Sequence, residues 1–177
     1  MTSNIFKLTK EMIPSKTCIG LMHRGPYSEI GDTFKKFFAT INDGKSDEKQ
    51  EPSNGFSGAN SMDGKVLGLY LDNPENTAPE NLRSYAAMEI GEDAFVTKDL
   101  PNDWEKIESL GGPAAVLTVN GSYSQLVSAW QGLGKRVVDE GWKISTNPAH
   151  IVQEVYVTMD MEDETKNVTK LIVFLDE

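Results

Sequence analysis

The sequence predicts an α+β fold: a duplicated strand-strand-helix-strand-strand unit forming an eight-stranded antiparallel sheet with two main helices and a central groove. Three observations predict it. Short runs rich in Val, Ile, Leu and Tyr recur along the chain, as strands require. Two segments instead carry apolar residues at steps of four, three and four, the spacing of one helix face. Strands and helices then appear twice in the same order, and runs of strands broken by single helices put the helices on one face of an antiparallel sheet.

Residues 6–12 and 17–22 read as two strands about a Pro14-Ser15 turn. His23-Arg24-Gly25-Pro26-Tyr27-Ser28 follows, with Gly-Pro as a turn and Ser28 as the expected helix N-cap. Ile30, Phe34, Phe37 and Ile41 then form the helix stripe, which Asp43-Gly44 ends. The second copy runs through strands at 104–107 and 113–119 about Gly111-Gly112, then Asn120-Gly121-Ser122-Tyr123-Ser124, then Leu126, Trp130, Leu133 and Val137. Gly25, Tyr27, Ser28, Ile30, Phe34, Phe37 and Ile41 match Gly121, Tyr123, Ser124, Leu126, Trp130, Leu133 and Val137 at one constant spacing, which chance does not produce.

Two strands close each copy. Residues 66–71 match 152–157, aligning Gly68 with Glu154 and Tyr70 with Tyr156, and residues 82–88 match 168–174. The spacing shrinks because the first copy carries a polar insertion at 43–64, whose only apolar residues are Phe56, Ala59 and Met62. It is expected to be a flexible surface loop or a lid. The organisation expected is therefore one domain over residues 1–177, made of two pseudo-symmetric halves at about 5–92 and 103–177, with a ligand groove along the axis between them.

Composition narrows the function. The 177 residues are 38% hydrophobic and 25% charged, with no apolar run long enough for a membrane span and no apolar signal region at the start, so a cytoplasmic location is expected. Seventeen basic against 27 acidic residues give a net charge of −10, which opposes direct nucleic-acid binding and favours cationic partners. The single cysteine, Cys18, lies in a buried-looking strand and reads as an inert core residue; with two scattered histidines, His23 and His150, no metal site and no cofactor are expected. Gly132-Leu133-Gly134-Lys135 lacks phosphate-loop spacing, and Asn54-Gly55-Phe56-Ser57-Gly58 has no strand before it to make a nucleophile elbow.

One residue stands out against this background. Within 151–157, alternation puts Val152, Glu154, Tyr156 and Thr158 on one face and Ile151, Gln153, Val155, Val157 and Met159 on the other. A carboxylate in the middle of an apolar strand either faces water or is held in a pocket where a partner offsets its desolvation. The duplication favours the pocket, because one half offers a carboxylate where the other offers the empty space of Gly68.

His23-Arg24-Gly25-Pro26-Tyr27-Ser28-Glu29-Ile30-Gly31, Leu67-Gly68-Leu69-Tyr70-Leu71-Asp72-Asn73-Pro74 with Pro79-Glu80-Asn81-Leu82-Arg83, and Glu154-Val155-Tyr156 resemble the GyrI-like small-molecule-binding family, the effector-binding domain of bacterial transcription activators. The resemblance runs from about residue 6 to 174. It implies a duplicated sheet whose groove takes aromatic, often cationic, compounds, with a glutamate at the position of Glu154 on its floor. It also implies that some members are hydrolases opening strained cyclopropanes of DNA-alkylating compounds, and that one branch inhibits gyrase. The sequence departs from the family at Gly121-Ser122-Tyr123, where Gly-Pro-Tyr is usual, and in the proline-free stretch at 160–165. With no helix-turn-helix segment in view, a sensor would report through a protein partner.

Three functions are expected from these residues. The first is stand-alone binding of a hydrophobic, aromatic or cationic small molecule, with Glu154 as counter-ion, Tyr70 and Tyr156 flanking it, Trp130 and Phe34 as walls and Gly68 leaving room. The second is a cyclopropane-opening hydrolase, with Glu154 as general base, Tyr156 hydrogen-bonding the developing oxyanion and Trp130 stacking on the substrate. The third is an acidic protein–protein inhibitor of the gyrase-inhibitor type. Tyr27 and Tyr123 are expected to pack against the helix starts, and Phe34 and Trp130 also fit an ordinary helix core stripe.

Overall fold

The computed structural model describes residues 6–43, 66–90, 103–160 and 162–176. The expected insertion therefore lies, from residue 44 onward, outside the described residues. The elements in order are β1 (Lys7–Ile13), β2 (Lys16–Arg24), α1 (Ile30–Asp43), β3 (Val66–Tyr70), β4 (Arg83–Ile90), β5 (Trp104–Ser109), β6 (Gly112–Asn120), α2 (Leu126–Asp139), β7 (Val152–Thr158) and β8 (Val168–Phe174). The eight strands form one sheet in the order β1-β6-β8-β7-β3-β4-β2-β5, antiparallel throughout. This is the α+β fold the periodicities predict.

The pairing differs from simple side-by-side units in one respect. β1 is joined to β2 by only Pro14 and Ser15, yet it pairs with β6; β5 is joined to β6 by Leu110 and Gly111, yet it pairs with β2. Each unit thus lends its first strand to the other. Such short connections between opposite ends of the strand order require the sheet to curl until its ends meet. The crossing point is Gly111, whose amide donates to Ser15 Oγ at 2.9 Å and where an added Cβ would stand 2.4 Å from the Ser15 nitrogen. No larger residue fits between the two turns.

Curling gives the sheet two differently filled faces. The inner face closes on itself, packing Cys18, Leu67, Leu69, Tyr85, Ala87, Ile107, Val116, Val155, Ile172 and Phe174 into one cluster. Burial pushes the Cys18 thiol up to about 12, so it is an inert core group, as expected. On the outer face, α1 packs mainly on β4 and β2 and α2 on β6, leaving the β7–β3 seam between the helices. Ile30, Phe37 and Ile41 of α1 and Leu126, Ala129, Leu133 and Val137 of α2 are the buried stripe residues. Fully burying a side chain of this size contributes about 1.5–3 kcal/mol, so these stripes fix where each helix sits.

Two local expectations need correction. Ser28 is not an N-cap: Tyr27–Glu29 is a 3-10 turn capped at Pro26 without a side-chain bond, and α1 follows directly. In the second copy the corresponding turn is capped by Ser122, which accepts from the Ser124 amide. Met159 lies with the outer-face residues, because a register shift between Tyr156 and Thr158 breaks the strict alternation assumed for β7. After β7, Asp160 Oδ1 accepts from the amides of Glu162 and Asp163 at 2.9 Å.

The histidines are structural. His23 Nε2 donates to the Pro26 carbonyl at 3.1 Å, since a carbonyl only accepts, and Nδ1 shares a hydrogen bond with Thr33 Oγ1 at 2.9 Å. That bond ties β2 to α1. His150 stacks on Phe174 at 4.9 Å. Among the described residues no group of His, Cys, Asp and Glu could hold a metal, and no helix is long and apolar enough to cross a membrane.

Candidate functional site

Straight across the outer face runs a row of eight residues, one per strand: Leu8, Leu117, Leu171, Glu154, Gly68, Ala86, Leu21 and Trp104. Seven are apolar or lack a side chain. The carboxylate sits at the centre, directly opposite Gly68, and is 5% exposed. Withdrawing a carboxylate from water costs several kcal/mol, comparable to what two buried leucines contribute, so its surroundings must offset that cost.

They do so with neutral donors. Tyr156 Oη donates to Glu154 Oε1 at 2.6 Å, and Trp130 Nε1 donates to Oε2 at 2.7 Å. Burial pushes Glu154 above the usual carboxylate range, while the bonds from Tyr156, Trp130 and Tyr70 favour the ionised form and hold it back. Burial, and then the charge of Glu154, hold the hydroxyls of Tyr70 and Tyr156 well above their ordinary value, so both stay protonated as donors. No Lys, Arg or His bonds to the carboxylate among the described residues.

Six rings surround this centre in two matched sets. Tyr27 meets Tyr70 edge-on at 4.9 Å, and Tyr70 meets Trp130 at 5.9 Å. Tyr123 meets Tyr156 at 5.6 Å, and Tyr156 meets Phe34 at 5.6 Å. Each set takes two tyrosines from one copy and the helix ring of the other. All six residues expected at the site, Glu154, Tyr156, Trp130, Tyr70, Phe34 and Gly68, therefore meet at the seam.

Two features were not expected. The space over Gly68 is not empty: Tyr70 folds back along its own strand, and a Cβ on Gly68 would stand 3.0 Å from its hydroxyl. Tyr27 and Tyr123 stand in the turns leading into α1 and α2, as expected, and their rings in addition lie against the site tyrosines. The signal was present in the sequence, since both tyrosines belong to the repeat that aligns Trp130 with Phe34.

Residues 6–175 match the GyrI-like small molecule binding domain. The chain belongs to the GyrI-like family. Solved structures agree on the fold. The chain is similar to the C-terminal domain of EcmrR, with 14% identity, TM-score 0.66, and coverage of 98% of this chain and 99% of that one. It is similar to SAV2435 bound to tetraphenylphosphonium, with 12% identity, TM-score 0.62, and coverage of 96% and 94%. A hydrolase from Listeria innocua is similar at 12% identity, TM-score 0.56, and coverage of 99% and 94%. No curated protein sequence matches. At these identities the likeness concerns the fold, and what the GyrI-like seam of this chain does rests on its own residues.

Proposed function

We propose that this GyrI-like domain binds one hydrophobic aromatic or cationic small molecule at the β7–β3 seam, with Glu154 as counter-charge and Tyr70, Tyr156, Trp130 and Phe34 as walls. The observation that carries the reading is a carboxylate 5% exposed at the centre of an apolar row, offset among the described residues by neutral donors alone. A cation arriving there lowers the cost of its charge, and ring faces add about 0.5–2 kcal/mol of attraction. The surroundings also select the kind of cation. A primary ammonium needs several acceptors, whereas the seam offers one carboxylate already bonded at both oxygens, so cations without N–H groups fit best. SAV2435 with its bound tetraphenylphosphonium is an instance of such a cation on this fold.

On this reading residues 1–177 act as one domain of two halves, at about 5–92 and 103–177, working in the cytoplasm without binding nucleic acid directly. The test is a panel of aromatic cations and neutral aromatics against the wild type and Glu154→Gln. Cations should weaken at least tenfold, about 1.4 kcal/mol, with neutral ligands little changed. Equal weakening of both classes removes the counter-ion role.

A hydrolase is the second reading, favoured by the raised pKa of Glu154 beside the Tyr156 hydroxyl, which suits a general base. The base would take a proton from water as its oxygen bonds to a cyclopropane carbon; the strained C–C bond breaks, and its electron pair passes to a carbonyl conjugated with the ring, whose oxygen then takes up the proton. Incubation with a cyclopropane-containing alkylator, read by mass spectrometry for the water adduct, decides it; turnover no faster than in buffer ends it. The acidic-inhibitor reading draws on net charge alone.

A further inference from the structure

The two matched ring sets differ in how their outermost tyrosines are held. Tyr27 is fixed at its hydroxyl: it donates to the Asp72 carbonyl at 2.7 Å, with the Arg83 carbonyl at 3.2 Å, and it accepts from the Asp72 amide at 3.0 Å. Asp72 is itself fixed, because its carboxylate takes the Arg83 amide at 2.8 Å and the Arg83 guanidinium at 2.8 and 3.0 Å. At the opposite end of the seam Tyr123 makes no hydrogen bond among the described residues, and its only ring contact there is Tyr156. The register shift between Tyr156 and Thr158 offers a reason, since it displaces the β7 backbone at the point corresponding to Asp72, just past β3, which holds Tyr27.

The helix rings repeat the difference, while Tyr156 on the Tyr123 side is itself bonded to Glu154. Trp130, on the Tyr27 side, is anchored through Nε1 to Glu154, whereas Phe34, on the Tyr123 side, has no polar group with which to be anchored. The backbone ahead of each tyrosine is alike, with Gly25 at φ 124° and Gly121 at φ 101°, so the hydroxyl bonds set the two ends apart. Both rims are acidic. The β3–β4 connection carries Asp72, Glu75 and Glu80, and the β7–β8 connection carries Asp160, Glu162, Asp163 and Glu164 against Lys166. Charge thus draws cations to either end without choosing between them.

Resting on the groove reading above, we propose that Tyr123 is the gate of the seam: the ligand enters and leaves on the Tyr123–Tyr156–Phe34 side, while Tyr27 is a fixed wall. A ring held by packing and edge contact, with a free hydroxyl, moves at lower cost than one whose hydroxyl is also bonded to the Asp72 and Arg83 backbone. A gate alters entry and exit together and leaves affinity nearly constant, which separates it from a contact residue.

The test has two arms on the full chain. In the first, ethidium serves as a fluorescent aromatic cation and its association and dissociation rates are followed by stopped flow. Tyr123→Ala should raise both rates about tenfold with Kd within about threefold, Tyr123→Phe should leave both within about twofold, and Tyr27→Phe, which frees the second ring, should raise both about threefold. Unchanged rates in Tyr123→Ala overturn the gate, as does a Tyr123→Ala effect confined to the dissociation rate. The second arm needs no ligand and no folded variant: the wild type carrying 3-fluorotyrosine should give a fluorine line for Tyr123 broadened by exchange and a sharp line for Tyr27. The reverse pattern, or two equally sharp lines, overturns the proposal. Wild type that takes up no ethidium speaks against the groove reading, and the fluorine lines still decide between the two ends.

Discussion

Glu154 on β7 and Gly68 on β3 pair directly with one another at matched positions of the duplicated sequence, yet one is a buried carboxylate and the other bare backbone. The difference has a physical consequence. Two carboxylates facing each other in this apolar row could not both ionise, and two glycines would leave the ring sets with nothing to bond. One of each gives a near-symmetric ring cage with a single charge, in which Tyr156 and Trp130 bond the carboxylate and Tyr70 lies back over the glycine. Duplication supplied the cage. Divergence at one position supplied its chemistry.

The sharpest way to break this comparison is to make the two positions alike. Gly68→Glu should lower the unfolding free energy by about 3–5 kcal/mol in urea titration at neutral pH, because it adds a second buried carboxylate and collides with the Tyr70 ring. Glycine matters here for space, and Gly68→Ala separates the two causes. Its Cβ meets only the far end of a tyrosine side chain, so about 1 kcal/mol is expected. If alanine costs as much as glutamate, charge is not what keeps the position bare.

Trp130→Phe keeps the ring and removes one donor from the carboxylate. It should cost about 1.5–3 kcal/mol at neutral pH, less at pH values where Glu154 is protonated, as read by denaturant unfolding across pH. A cost that does not vary with pH would mean the indole acts by packing alone.

The smallest effect is a pH signature. The carboxyl of Glu154 is raised in the folded protein, so between its unfolded value and the raised one the folded state binds more protons, and its contribution to stability falls as pH rises. Asp72, Asp160 and Asp176 are lowered and act in the opposite sense, so only a difference isolates Glu154. The melting temperature of Glu154→Gln minus that of wild type should therefore increase with pH across that window, and a difference that is flat or decreasing contradicts the burial cost assigned to it.

Much of this was legible in the sequence because it is periodic. The stripes at Ile30-Phe34-Phe37-Ile41 and Leu126-Trp130-Leu133-Val137 place both helices, and their constant offset brings Trp130 and Phe34 to matched walls. What periodicity does not carry is pairing choice. A two-residue turn at Pro14-Ser15 reads the same whether its strands join each other or part to opposite ends of a curled sheet, and the exchange shows only in the strand pairing and the contact of Gly111 with Ser15. Alternation placed Glu154 correctly but lost Met159, since a bulge leaves no mark in residue type. Tyr27 and Tyr123 were read as local packing because their ring partners lie on strands distant in sequence.

The carboxyl of Glu154 can be followed directly, by carbon-13 NMR of glutamate-labelled protein titrated with and without tetraphenylphosphonium. The midpoint should lie above the ordinary glutamate value in the free protein and move to lower pH when the cation is bound, with no such movement on adding a neutral aromatic of similar size. A midpoint already at or below the ordinary value without ligand, or one that the cation leaves in place, would contradict the counter-charge role of Glu154.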